Sequence, residues 1–130
     1  MSKAINIGKI IYGTIQSVPE LSALIGNKVF PIIAEAETTF PFITYTRQNV
    51  YVQNRTKDAW MNDEVQFNIQ ICDSEYMRSC QIADLVREAF EDKVIENDEL
   101  TISNIHMTGI SEMWSEDTYI QSLNFSCSAN

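Results

Sequence analysis

Between Glu64 and Cys72 the chain alternates cleanly: Val65, Phe67, Ile69 and Ile71 are apolar, while Glu64, Gln66, Asn68 and Gln70 are polar. A period of two places successive side chains on opposite faces of a strand, so this segment has one buried face. The pattern then changes, and Tyr76, Cys80, Ala83, Val86 and Phe90 recur at intervals of three and four, with Asp73 or Ser74 available as a cap. A half-apolar strand followed at once by a half-apolar helix hides both faces when the helix lies across the sheet. The helix is expected to end by about Asp92, because the acidic run Glu91-Asp92 and Glu96 to Glu99 is unfavourable near a helix C-terminus.

The N-terminal third reads as two helices and two strands. Ile7, Ile10, Ile11, Ile15 and Val18 fall at helical spacing, giving a first helix from about Lys3 to Ser17, weakened by Gly8 and Gly13. Pro19 suits the first turn of a short second helix through Leu21, Leu24 and Ile25, and Gly26 stops it. Lys28 to Ile33 is a short strand that Pro31 confines to an edge or a bulge, Ala34 to Thr39 a loop, and Phe42 to Tyr51 the next strand. Val52 to Asn62 has no clear period and reads as a long hairpin connection. Beyond the acidic run, Leu100 to Ile110 and Tyr119 to Cys127 form a hairpin joined by Ser111 to Thr118, with Leu123, Phe125 and Cys127 on one face. The order α-α-β-β-β-α-β-β implies an α+β fold: a mostly antiparallel sheet of about five strands, with two principal helices packed on one face.

At 130 residues, 1–130 is expected to form one domain around one core. The formal charge of -9, from 18 acids against 9 bases, argues against non-specific attraction to nucleic acid phosphate. Cys72, Cys80 and Cys127 are odd in number, lack C-x-x-C spacing and lie in or beside apolar segments, so they are expected to be reduced, buried thiols. No run of about 18 apolar residues exists, and Lys9 interrupts the N-terminal apolar stretch, so the expectation is a soluble cytosolic protein without a membrane partner.

Catalytic and cofactor chemistry finds little support. His106 is the only histidine, the three cysteines lack zinc spacing, and the acidic run lacks the glycine and alternating oxygen ligands of a calcium loop. The four glycines form no phosphate-cradling cluster, and carboxylates such as Glu112 and Glu116 pair by chance in so acidic a chain. The expectation is no enzyme, no cofactor and no metal. Arg47, Arg55 and Lys57, interleaved with Tyr51 and Trp60, are the best candidates for nucleic-acid contact, but in so acidic a chain they read rather as a protein interface or a solvated loop, and Trp114 in the last connection as a loop anchor or a further interface residue. The polar strand face Gln66, Asn68 and Gln70 is either solvated or a subunit or lumen contact.

The succession of Leu21, Leu24, Gly26, Lys28, Val29, Phe30 and Pro31, then Pro41 to Tyr45, resembles the opening pattern of the tail completion or tail terminator proteins of long-tailed phages. The strand to Cys72, the helix from Tyr76 to Phe90 and the last strand from Tyr119 follow in the same order, so the resemblance spans nearly the whole chain. It implies a non-catalytic virion protein located in the tail and assembled in the host cytoplasm. In that family subunits form a ring, typically a hexamer, that halts tail-tube polymerisation and joins the tail to the head. The implied partners are other copies of the chain, the tail tube protein and a neck or head completion protein, while genomic DNA passes without specific binding. A neck connector role, or a small cytosolic adaptor or enzyme, are the alternative readings.

Overall fold

The structure, a computed structural model, describes residues 3–52 and 62–130. In chain order it comprises a 3-10 turn (Ala4–Asn6), α1 (Ile7–Gln16), α2 (Pro19–Ile25), β1 (Val29–Pro31), β2 (Phe42–Tyr51), β3 (Asp63–Asp73), α3 (Tyr76–Phe90), β4 (Ile95–Glu96), β5 (Thr101–Ser115) and β6 (Thr118–Ala129). The strands form one six-stranded sheet in the order β1-β2-β3-β6-β5-β4. Every pairing is antiparallel except β1 with β2.

The alternating segment sits at the centre of this sheet. β3 aligns Val65 with Cys127, Phe67 with Phe125 and Ile69 with Leu123 of β6, so the apolar faces of the two strands coincide. Phe67 stacks on Phe125 with ring centroids 5.2 Å apart, and Phe90 of α3 lies 5.7 Å from each. All three rings are fully buried and join the two central strands to the helix. From α1, Ile7, Ile10, Ile11 and Ile15 enter the same core. Gly8 has a packing role: a Cβ there would stand 3.3 Å from the ring of Tyr45, so the missing side chain lets α1 lie close on β2. Pro19 opens α2, and Gly26 ends it at φ +61°.

Several details depart from the sequence expectation. The sheet has a sixth strand, because Ile95–Glu96 in the acidic connection pairs with Ile102 and Thr101. Two residues are too few to show a period, and the turn is held by Asn97, whose Oδ1 accepts the N–H groups of Glu99 and Leu100. The expected connection from Ser111 to Thr118 shrinks to Glu116-Asp117, both at positive φ (50° and 60°). Trp114 is therefore a strand residue paired with Tyr119, not a loop residue. Paired positive φ suits a two-residue hairpin, but Glu-Asp lacks the usual Asn-Gly signature.

The buried face of α3 is Ser79, Ile82, Ala83, Val86 and Phe90, rotated from the expected stripe; Tyr76 is exposed and Cys80 half-buried. Burial of polar Ser79 follows from its bonds, since its Oγ donates to the Tyr76 carbonyl and accepts from Gln121. Neither Asp73 nor Ser74 occupies the N-cap, which is Glu75 without a side-chain cap. Asp73 instead closes β3, and its Oδ1 accepts the Glu75 N–H at 3.1 Å. The expected connection from Val52 to Asn62 lies almost wholly outside the described residues. No helix among the described residues is long and apolar enough to cross a membrane.

Candidate functional site

The most developed surface cluster forms where α3 begins against the far end of the β5–β6 hairpin. β3 ends there at Asp73, whose fully buried carboxylate receives two bonds from Arg78: Nε to Oδ2 at 2.7 Å and Nη2 to Oδ1 at 2.6 Å. Arg78 also reaches Glu75, fixing the first turn of the helix to the strand that precedes it. The clamp sets Tyr76 beside the hairpin. Its hydroxyl donates to Glu112 Oε2 at 2.7 Å, and Gln121 Nε2 donates to the same oxygen at 3.1 Å. The Tyr76 bond, then the Gln121 bond, hold the Glu112 carboxyl below its ordinary value of 4.5. The same bond, with Cys80 adding to it, raises the Tyr76 phenol.

Three aromatic rings meet at this place. Trp114 and Tyr119 lie 4.6 Å apart at 57°, and Tyr76 and Tyr119 5.4 Å apart at 71°. Tyr76, Glu112, Met113, Trp114, Tyr119 and Gln121 line a pocket of about 260 Å³. Trp114 is 54% exposed, so the pocket opens to solvent.

The expected interface residues divide between the two ends of the sheet. Tyr51 is exposed and pairs with Glu64, whereas Trp114 lies in the row of Asp73 and Tyr119, nine residues further along β3. At about 3.3 Å per residue the two are about 30 Å apart along the strands. Arg47 Nη1 donates to the Ile5 carbonyl at 2.5 Å, so it ties the N-terminal turn to β2. Arg55, Lys57 and Trp60 lie outside the described residues. On the polar strand face, Asn68 bonds sideways to Ser122 Oγ and Asn124 Oδ1 of β6, each at 2.8 Å, while Gln66 and Gln70 are half-buried.

No other described arrangement has the geometry of a reaction centre. His106 Nδ1 lies 3.0 Å from the Asn104 carbonyl, beside a shallow cleft at the opposite end of the sheet from Trp114. Burial pushes the Cys72 thiol up to about 11 and Cys127 up to about 12, which suppresses the thiolate a nucleophile needs. Among the described residues no group of three or more His, Cys, Asp or Glu side chains is placed to hold a metal ion.

Two solved structures share the fold along its whole length. One is a chain from the virion of a native gene transfer agent particle, with TM-score 0.76 and 16% identity over 97% of this chain and 96% of that one. A second solved chain matches with TM-score 0.70 and 9% identity over 100% of this chain and 96% of its own length. No protein-family profile matches the sequence, and no curated protein matches it.

Of the residues that build the pocket, sequence reasoning singled out only Trp114 as an interface candidate. The missed members are Tyr76 on α3, Glu112 and Met113 on β5, and Tyr119 and Gln121 on β6, with Tyr76 and Glu112 36 positions apart in sequence. One signal was available: Glu112, Trp114, Tyr119 and Gln121 are mirror positions about Glu116-Asp117, so a two-residue turn would have brought them together in pairs.

Proposed function

We propose that this chain is a structural protein of a phage-like virion, and that its copies close into a hexameric ring that caps the tail tube. The ring stops tube polymerisation and joins the tail to the neck of the head. The carrying observation is the full-length likeness of fold to a chain of a gene transfer agent virion. The finer assignment to the tail end rests on the resemblance of the segments from Leu21 to Pro31 and Pro41 to Tyr45 to tail terminators.

The sheet has the means for a repeating contact. On one side, β4 covers only Thr101 and Ile102, and from His106 to Ser115 the outer main chain of β5 has no backbone partner among the described residues. On the other side β1 stops at Tyr45, so Thr46 to Tyr51 of β2 is also open among the described residues. Two different free edges on opposite sides of one sheet favour a heterologous contact, which closes into a ring when its rotation does. The Tyr51 end and the Trp114 end of the sheet then supply two unlike surfaces, as a cap binding the tube on one side and the neck on the other requires. The net charge of -9 suits a channel that lets DNA pass without holding it.

The test is deletion of the gene from the particle-forming genome, followed by electron microscopy. Overlong tubes without heads are expected, and tails of normal length overturn the tail-capping role.

A further inference from the structure

We infer that the pocket between the start of α3 and the β5–β6 hairpin is a receptor for one cationic side chain, lysine or arginine, presented by a partner protein. Its walls are Tyr76, Trp114 and Tyr119, whose rings meet at 57° and 71° rather than lying flat on one another. Tyr119 packs against both neighbours, whereas Trp114, 54% exposed, keeps part of its ring open, and an aromatic face attracts a cation through its quadrupole. The space, about 260 Å³, has one carboxylate in its lining. Both hydrogen bonds to Glu112 fall on Oε2, so Oε1 has no partner among the described residues.

Charge selects the occupant. Glu112 lines the pocket, Glu116 and Asp117 form the turn just beyond Trp114 and Tyr119, and the nearest cation among the described residues in the chain, Arg78, is already committed to Asp73 and Glu75. These carboxylates outweigh the partial positive charge of the α3 N-terminus. No lysine or arginine of the described chain, Lys3 and Lys93 included, lines the pocket. Lys9 pairs with Glu99, Lys28 with Thr39, Arg47 with the Ile5 carbonyl and Arg87 with Glu91. The guanidinium or ammonium therefore comes from another molecule, stacking on the rings and meeting Glu112 Oε1. That the donor is a virion protein rests on the function proposed above; the chemistry of the pocket does not.

The test is nuclear magnetic resonance of the full chain with 15N-labelled tryptophan. The Trp114 indole signal is assigned by its loss in Trp114→Leu. The protein is titrated with N-acetyl-arginine amide, N-acetyl-lysine amide and, as the neutral isostere of arginine, N-acetyl-citrulline amide. Both cationic probes are expected to shift the Trp114 signal saturably with half-saturation in the millimolar range, while the citrulline probe leaves it nearly unmoved. Glu112→Gln should weaken the arginine response about threefold, the scale of one exposed ion pair. An equal response to citrulline, no response to arginine up to about 50 mM, an unchanged response in Glu112→Gln, or a shift confined to Trp60 each overturns the receptor. A saturable, charge-dependent Trp114 shift alongside normal tail length in the gene deletion would keep the pocket and discard the tail role.

Discussion

The Asp73–Arg78 clamp makes an asymmetric prediction, because the two partners are not equally buried. The Asp73 side chain is fully buried, whereas that of Arg78 keeps 30% of its surface in water. In Asp73→Asn the remaining oxygen can accept from Arg78 or from the Glu75 N–H, and the new amide N–H group faces donors. Two charge-assisted bonds are weakened, each worth about 1.5–3 kcal/mol. Arg78 still has Glu75 at 2.7 Å and water, so it is not stranded, and the loss should be about 2 kcal/mol. In Arg78→Ala the stranded group is the carboxylate, left buried with the Glu75 N–H as its one remaining donor among the described residues. Breaking a buried pair costs about 3–5 kcal/mol, and the half-open partner side puts this case near 3 kcal/mol.

The assay is equilibrium urea unfolding followed by far-ultraviolet circular dichroism. With a denaturant slope of about 1.5 kcal/mol per M, the midpoint should fall by about 1.3 M for Asp73→Asn and about 2 M for Arg78→Ala. An Asp73→Asn loss equal to or larger than that of Arg78→Ala refutes the reasoning, because the more exposed partner would then be the costly one to strand. Losses below about 0.5 kcal/mol in both would mean that the clamp behaves as a surface ion pair.

Two further outcomes follow from the backbone and the thiols. Gly26→Ala should lower stability by about 1–2 kcal/mol in the same unfolding assay, since φ +61° strains an L residue although a Cβ there meets nothing within 4 Å; an unchanged midpoint would refute it. In a thiol-modification assay at pH 8, Cys80 should react first. Cys72 and Cys127, buried and raised to about 11 and about 12, should react only after denaturation. Fast modification of all three in the native protein would contradict this.

The alternating run at Val65 to Ile71, the helical spacing in α1, Pro19, Gly26 and the strand from Phe42 to Tyr51 were legible because each is a local commitment. A period of two or 3.6 needs only a dozen neighbouring residues, and proline and glycine act on their own dihedrals. Burial of Ser79 was not legible, since a polar residue goes inside only when a partner satisfies it and Gln121 lies 42 positions away; Asp73 has its partner only five positions on, in Arg78, but an acid–base pair at that spacing carries no period that marks it as buried. β4 was hidden for a similar reason, its two residues being a strand only by virtue of Thr101 and Ile102.

The sequence by itself therefore determined the principal helices and strands and the apolar faces of α1 and β3, but not β4, the full length of the β5–β6 hairpin or the exact buried stripe of α3. Only the tertiary structure decided that Trp114 stands about 30 Å from Tyr51 rather than beside it, and that it shares a pocket with Tyr76, Glu112 and Tyr119. The physical reason is the Glu116-Asp117 turn: two positive-φ residues fold β5 onto β6, and their placement sets the cross-strand neighbours from Gly109 to Ser115, beyond which irregularities shift the register.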